Sequence, residues 1–462
     1  MLIIDSPLGC DTERAYTLGV LFADWLGIPF ALSQRERADI SISLGGQPGE
    51  IRLPDDFFSQ ASNAWLTEAS VPSPRLSQWD TRDLVPDIRL TDPLVPVLFG
   101  DTAPVASWSA DTIRLPIDLF GSAFFMLSRY EEAVLLDRDD HDRFPATASL
   151  AYRAGFLDRP IVDEYVEILW MAMRHLWPEL QRKTHHPRTR VSCDLDIPFA
   201  FHGLLKGIPR RLAGDLLKRR SPKLAARNVL GALESRRGLT EHDPHRRGVD
   251  WIMDVNERVG NVVAFYFIPE NTDRWLDNCV SLDEPRMRSL LRDIHARGHE
   301  IGLHPGYNTY KSPDAMSRSV ATLRRVLDEE GIDQPLLGGR QHFLRWETPT
   351  TARLWDDNML DYDSSLSYAD RPGFRCGTCR EYPLYDLAAR SPLRLHERPL
   401  IVMECSVIAE RYMGLGYSDE ALILMQRYRD TCHRFSGDFT LLWHNSHFEH
   451  PKDREFYQAL LQ

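Results

Sequence analysis

Two aspartates stand two positions apart at the end of a short apolar run, in the segment VSCDLDIP at 191–198. If this run is a β-strand, its side chains alternate between two faces, so Asp194 and Asp196 share one face. Two carboxylates held this close repel each other unless a cation or a shared proton relieves them. The pair therefore predicts a metal ligand beside a general base.

The elements that must position this pair are short strands separated by helices. From about residue 189, apolar runs alternate with helical stretches, which is typical of parallel β/α architecture. Seven candidate strands follow one another at 190–197, 262–268, 299–304, 336–342, 360–365, 400–406 and 439–444. Most of them end in an ionisable residue: Asp196, His304, His342, Asp363, Glu404 and His444. Reactive groups of β/α barrels gather at the carboxyl ends of the strands, so we expect these side chains to meet.

Spacing within the strands separates the candidates further. His299 and His304 lie five apart in GHEIGLHPGYN, so they face opposite sides of an uninterrupted strand. His304, at the strand end, is the better ligand candidate. Arg340 and His342 lie two apart in GGRQHFLRW and share a face, where an inward arginine would keep one of the aspartates ionised. His444 follows an apolar run that a buried strand would supply.

Five motifs, in their order along the chain, resemble those of the polysaccharide deacetylase (NodB-homology) superfamily. They are DxD, GHEIGxH, a later arginine motif, YDS and a final LxH. The resemblance covers residues from about 186 to 462. The segments FFMLSRYEE and DRFPA resemble the domain that precedes a bacterial branch of these proteins, which tends to occur with surface-polysaccharide biosynthesis. The resemblance implies an α/β protein, with a distorted seven-stranded (β/α) barrel at 186–462 and a smaller N-terminal α/β accessory domain at 1–185.

The same resemblance implies metal-dependent hydrolysis of an N-acetyl or similar acyl group on a sugar. Carried over by position, Asp194 is the general base, Asp196 is a metal ligand and His304 is the second ligand. These roles suit amide hydrolysis, which needs an activated water, a polarised carbonyl and a proton for the departing amine.

The remaining roles also come from the resemblance. Arg340 would orient Asp194, and His444 would be the general acid. Asp363 could hydrogen-bond His444 and raise its pKa. A backbone N–H near Tyr307 could help to hold the oxyanion.

One position departs from the family pattern. The family usually places a second histidine four residues after the first, where this chain has Asn308, and an amide oxygen is a poorer ligand than imidazole for zinc-like ions. Asn308 could bind weakly, His342 could serve as the third ligand, or the metal could be lost; we favour His342. Zinc is the favoured metal, and a mixed nitrogen and oxygen site also admits Fe, Co, Mn or Ni.

Bulk properties limit the class of protein. A chain of 462 residues should hold two or more domains. The formal charge of −12 argues against nucleic-acid binding. The chain has no long apolar run, and its N-terminal region is acidic. Both features predict a cytoplasmic protein. Seven scattered cysteines fit reduced thiols, and the lone C-x-x-C at Cys376 and Cys379 is weak evidence for zinc.

The expected substrate is an acetylated sugar or a nucleotide- or lipid-linked glycan precursor. A basic segment at 206–227 could contact a membrane surface or a phosphorylated carrier, although a solvated helix face is the commoner interpretation. Two alternatives remain open: hydrolysis of another non-peptide C–N amide, and an inactive glycan-binding or scaffold protein in which Asn308 marks lost metal binding. The joint presence of Asp194, Asp196, Arg340 and His444 favours catalysis.

Overall fold

The computed structural model describes residues 1–82, 88–201, 212–213, 216–217, 222–277, 279–448 and 450–462. Within these residues the chain is a mixed α/β protein with three sheets. Most of the basic segment 206–227 lies outside the described residues, which include Lys223 and Arg227 from its set of cations. No helix in the described part of the chain is long and apolar enough to cross a membrane.

Eight strands belong to the first part of the chain: β1 (Leu2–Ser6), β2 (Phe30–Gln34), β3 (Asp39–Leu44), β4 (Glu50–Pro54), β5 (Ser77–Asp80), β6 (Leu94–Val97), β7 (Ser107–Trp108) and β8 (Thr112–Arg114). Six of them form one sheet in the order β2-β1-β3-β4-β8-β7, and β5 pairs with β6 separately. The helices of this part are Asp11–Leu18, a π-helical stretch Gly19–Leu26, Asp56–Ala64, Glu68–Ser70, Leu119–Leu127, Tyr130–Val134, Ala146–Ala148, Leu150–Arg153 and Ile161–Leu176.

The second part of the chain supplies a nine-stranded sheet. Its strands are β9 (Arg188–Leu195), β10 (Val263–Phe267), β11 (Glu300–Leu303), β12 (Gly338–Gly339), β13 (Tyr362–Asp363), β14 (Tyr382–Asp386), β15 (Ser391–Glu397), β16 (Val402–Met403) and β17 (Asp438–Leu442). The order is β14-β15-β13-β12-β11-β10-β9-β17-β16, and all neighbours are parallel except β14 and β15. The long strand β9 therefore lies between β10 and β17, inside the sheet.

The seven predicted strands all overlap strands of this sheet, so the parallel β/α character is confirmed. Two further strands, β14 and β15, join the sheet, and no pairing among the described strands closes it into a ring. A count of seven strands and a closed barrel are therefore not confirmed. The alternating, half-exposed residues of β15 explain why it was missed, because they lack the continuous apolar run of a buried strand.

The helices of this part of the chain are Pro222–Ser235, Pro244–Arg258, Pro285–Ala296, Pro313–Glu329, His342–Leu344, Thr350–Asp357, Glu404–Ile408, Asp419–Arg434 and Pro451–Leu461. Several begin at proline, whose fixed φ and missing N–H suit the first helical position. The side chains of Asp243 and Ser312 accept hydrogen bonds from free backbone N–H groups just inside two of these helices. Local sequence thus fixes where each strand-to-helix loop ends, and the loops carry the site.

A buried network of charges joins the two parts of the chain. Glu132 accepts hydrogen bonds from Arg375 at 2.8 and 2.6 Å and from Arg129 Nε at 2.9 Å, and all three residues are at most 2% exposed. Burial alone would raise the pKa of Glu132, but the two arginines lower it to about 2. The carboxylate is therefore ionised and offsets the charge of two buried guanidinium groups.

We expect Glu132→Gln to lower the free energy of unfolding by about 3–5 kcal/mol, because it leaves the buried guanidinium of Arg375 without its carboxylate partner. The matched control is Glu329→Gln in an exposed pair with Arg325, which should cost less than about 1 kcal/mol. Urea unfolding followed by tryptophan fluorescence measures both. Equal effects of the two substitutions would contradict the structural role of Glu132.

Candidate active site

The polar strand ends converge at one edge of the large sheet. Asp194 lies in β9 and Asp196 one residue beyond its end. His304 directly follows β11, and Arg340 directly follows β12. His444 stands two residues after β17. Because the strands are parallel, their carboxyl ends share this edge, which brings residues distant in sequence into contact.

Arg340 holds Asp194. Its Nη1 donates to Asp194 Oδ1 at 2.8 Å and to the Ser192 hydroxyl at 2.8 Å. Nε donates to the Ser364 carbonyl at 2.8 Å, and Nη2 to the Ser364 hydroxyl at 3.0 Å. The guanidinium is fully buried, and these bonds leave it little freedom to turn. One oxygen of Asp194 is thereby fixed, and the other lies 3.8 Å from His304 Nε2.

Asp196, His304 and His342 form a group that could hold a metal ion. Asp196 Oδ1 lies 3.1 Å from His304 Nε2 and 3.7 Å from His342 Nε2. Atoms that bind a tetrahedral zinc lie about 3.3–3.5 Å apart, from metal–ligand bonds of about 2.0–2.2 Å. The two distances bracket this range, and two imidazoles with one carboxylate suit a zinc-like ion. The donor set therefore fits the predicted metal.

The two imidazoles are oriented through their other nitrogens. His304 Nδ1 lies 2.6 Å from the Arg340 carbonyl oxygen, and His342 Nδ1 lies 2.7 Å from Asp277 Oδ1. Asp277 is itself fixed by the Thr272 hydroxyl at 2.7 Å. Burial alone would raise the pKa of Asp277, but its bonds to His342 and Thr272 lower it to about 2. Such partners set ring orientation, so each Nε2 is presented to Asp196.

The imidazoles also determine the charge of Asp196. Partial burial alone would raise the pKa of this carboxyl. His342, His304 and His444 outweigh it and hold the pKa far below its ordinary range. Asp196 is therefore an ionised carboxylate among three histidines, which is the form that binds a cation.

His444 is held by Glu404 rather than by Asp363. Its Nδ1 lies 2.6 Å from Glu404 Oε1, and its backbone N–H donates to the same oxygen at 3.0 Å. Asp363 instead accepts hydrogen bonds from the backbone and hydroxyl of Ser365. The strand order gives the reason, because Glu404 follows β16, the neighbour of β17, whereas Asp363 ends the more distant β13. The other nitrogen of His444, Nε2, lies 3.7 Å from Asp196 Oδ2.

Three other sequence candidates lie outside the group. Asn308 is exposed; its amide nitrogen donates to the Thr272 carbonyl at 3.0 Å, and its oxygen lies 3.4 Å from Arg345 Nη1. The Tyr307 N–H donates to Asp277 Oδ1 at 2.8 Å, so it is already bonded. His299 accepts from the Val263 N–H at 3.1 Å, on the outer side of the strand. The structure thus brings His342, and not Asn308, to Asp196.

These groups line one cavity of about 240 Å³. Its walls include Asp194, Asp196, His304, His342, His444, Phe343, Tyr412, Arg143 and Arg411. Arg143 comes from the first part of the chain and donates to the Phe343 carbonyl at 2.9 Å. The two cysteines of the C-x-x-C pair are buried free thiols and belong to none of the metal-capable groups found among the described residues.

Sequence reasoning missed several residues that support the site. Glu404 was recognised as a polar strand end, but its pairing with His444 depends on strand order, which sequence does not give. Asp277 comes from a loop after β10 with no periodic pattern to mark it. Arg143 belongs to the segment DRFPA, which was singled out for its resemblance and not as part of the site. Each of them is brought to the site by a contact between residues that lie far apart in the sequence.

Residues 2–178 match a family of unknown function (DUF7033). No curated protein matches the chain. A candidate polysaccharide deacetylase from Mycobacterium smegmatis aligns with a TM-score of 0.39 and 14% identity, over 60% of this chain and 84% of that one. Puue allantoinase aligns with a TM-score of 0.37 and 13% identity, over 60% and 83%.

We expect His342→Ala to weaken zinc binding far more than Asn308→Ala. Orienting partners alone are worth about 10–100-fold in metal affinity, so loss of a ligand should exceed that range. Asn308 contacts Thr272 and Arg345, and its removal should change the affinity little. Competition with a chelator of known affinity measures both. A larger loss in Asn308→Ala would contradict the geometry described above.

Proposed function

We propose that this protein is a metal-dependent hydrolase that removes an N-acetyl or similar acyl group from a sugar in a surface-glycan precursor. The observation that carries the proposal is the convergence of three sets of groups on one cavity. They are Asp194, which Arg340 fixes from behind the cavity wall, the group of Asp196, His304 and His342, and His444, which Glu404 holds in the same way. Each set matches one requirement of amide hydrolysis.

The first requirement is an activated water and a polarised carbonyl. Bound by Asp196, His304 and His342, a divalent cation supplies Lewis acidity and lowers the pKa of water. Asp194 is the base that accepts the proton. Arg340 fixes its Oδ1 at 2.8 Å and leaves Oδ2 on the side of His304, at 3.8 Å from Nε2.

The second requirement is a proton for the departing amine. Burial lowers the pKa of His444, but Glu404 outweighs burial and raises that pKa well above its ordinary value. The imidazole is therefore protonated at neutral pH. Because Glu404 occupies Nδ1, the proton that can be transferred is on Nε2, the nitrogen on the side of Asp196.

The arginines on the cavity wall favour an anionic sugar precursor as the substrate. Arg143 and Arg411 both line the cavity. Arg143 is partly neutralised by Asp139, with Nε donating to Oδ2 at 2.8 Å. Arg411 lies over the Tyr412 ring at 4.8 Å and is exposed. Guanidinium groups recognise phosphate, so a nucleotide- or lipid-linked sugar suits this wall better than a neutral one.

Asp194→Asn should lower turnover by about 10²–10⁴-fold, the usual contribution of a positioned base, while metal content stays near that of the wild type. Acyl release is measured with N-acetylated sugar nucleotides as substrates. A ureide is tested as a second substrate, to detect hydrolysis of a different C–N amide. Asp357→Asn, at an exposed position at the end of a helix, is the control.

Two outcomes would contradict the proposal. Full turnover in Asp194→Asn would remove Asp194 from the base role. Metal-loaded wild type that releases no acyl group from any sugar, but cleaves the ureide, would move the assignment to another amide. Asp357→Asn should match the wild type throughout, because its side chain contacts none of the site residues.

A further inference from the structure

A second group of metal-binding side chains lies at the His444 end of the cavity. Glu404, Cys405, His444 and His447 each offer one ligand atom, and these atoms all lie within 4.8 Å of one another. Cys405, His444 and His447 line the same cavity as Asp196. The group shares no residue with the set formed by Asp196, His304 and His342.

The spacing of the group suits a tetrahedral ion. Cys405 Sγ lies 3.6 Å from His447 Nδ1. A zinc bound to sulfur at about 2.3 Å and to nitrogen at about 2.0–2.1 Å places those atoms about 3.5–3.6 Å apart. Glu404 Oε1 lies 3.1 Å from the same nitrogen of His447 and 3.6 Å from Cys405 Sγ. The ligand atoms of Glu404, Cys405 and His447 therefore already have spacings close to those around one ion. His444 Nδ1, at 2.6 Å from Glu404 Oε1, has to move away from that oxygen to join them.

An unpaired oxygen gives independent evidence for a ligand. Glu404 is fully buried, and its Oε1 is near His444, His447 and Cys405. Its other oxygen, Oε2, has no hydrogen-bond partner among the described residues. A buried, unsatisfied carboxylate oxygen costs free energy that a cation would offset. Without a metal ion, a hydrogen bond between Cys405 and His447 would pair the thiol with the imidazole. It would still leave Glu404 Oε2 unpaired.

We propose that Glu404, Cys405, His444 and His447 form a second cation site that takes a soft divalent ion such as zinc. The thiolate of Cys405 distinguishes it from the site around Asp196, because thiolate ligands favour softer metals. The side chain of His447 is 42% exposed, which gives an ion access from solvent.

The site has a consequence that rests on the proposed function. An ion bound through His444 Nδ1 takes the place of the proton that this nitrogen donates to Glu404, so the hydrogen bond between them is lost. His444 would then no longer be held as the proton donor for the amine. Filling this site is therefore inhibitory, whereas filling the site around Asp196 is required for turnover.

The test titrates the full-length protein, stripped of metal by a chelator, with Co²⁺. A thiolate ligand produces a sulfur-to-cobalt charge-transfer absorption that histidine and carboxylate ligands do not. We expect this absorption in the wild type and its loss in Cys405→Ser, with bound cobalt falling from about two equivalents to about one. Cys279→Ser, at a partly exposed thiol outside both sites, is the control and should keep the absorption.

Two further variants decide between the sites. His304→Ala should retain the absorption, because it removes a ligand only from the site around Asp196. His447→Ala changes a partly exposed side chain, so it tests the second site even if Cys405→Ser fails to fold, and it should weaken the absorption more than tenfold at limiting cobalt. Absence of the absorption in the wild type, its retention in His447→Ala, or its loss in His304→Ala would overturn the proposal.

The result is independent of turnover. Because a filled second site is inhibitory, acyl release is also measured in Cys405→Ser and His447→Ala. Charge-transfer absorption in the wild type, with no acyl release in any of the three proteins, would support the second site and contradict the proposed hydrolase. Acyl release without the absorption would contradict the second site alone.

Discussion

The site depends on the buried guanidinium of Arg340. A cation that is fully removed from water must have its donors satisfied, and Arg340 meets this need with Asp194, Ser192 and Ser364. Ser192 and Asp194 lie in β9, and Ser364 directly follows β13. In the sheet, the three strands β10, β11 and β12 lie between β9 and β13. The backbone of Arg340 contributes too, since its carbonyl oxygen lies 2.6 Å from His304 Nδ1. One residue thus fixes both the proposed base and a proposed metal ligand.

The first part of the chain is tied to this arrangement, although it lies far away in sequence. Glu132 pairs with Arg375 in the interior, and Arg143 donates to the backbone at Phe343 beside the cavity. Arg345 donates to the His141 carbonyl at 2.8 Å and stacks on Tyr307 at 3.9 Å. The segment that matches a family of unknown function therefore helps to build the wall of the cavity.

Sequence periodicity was sufficient where strands are buried and regular. It placed Asp194 and Asp196 at the end of β9, His304 at the end of β11 and His444 near the end of β17, because alternation and strand ends are local properties. His342 reaches the site by a different route from the one predicted. The strand ends at Gly339, and His342 begins a short helical turn in which Phe343 has φ of 61°.

The remaining features depend on contacts that sequence spacing does not encode. The partner of His444 was predicted to be Asp363, but neighbouring strands are set by sheet order, and that order places Glu404 beside His444. Asp277 is brought to His342 by a loop. The paired strands β14 and β15 at one end of the sheet were missed, and the mixed burial pattern of β15 explains its omission.

The most direct test of the metal site is an anomalous difference map, at the zinc absorption edge, from crystals of the zinc-loaded protein. We expect a peak about 2.0–2.2 Å from the Nε2 atoms of His304 and His342 and from a carboxylate oxygen of Asp196. A zinc-loaded crystal with these three side chains in place and no peak between them would contradict a metal site at this position.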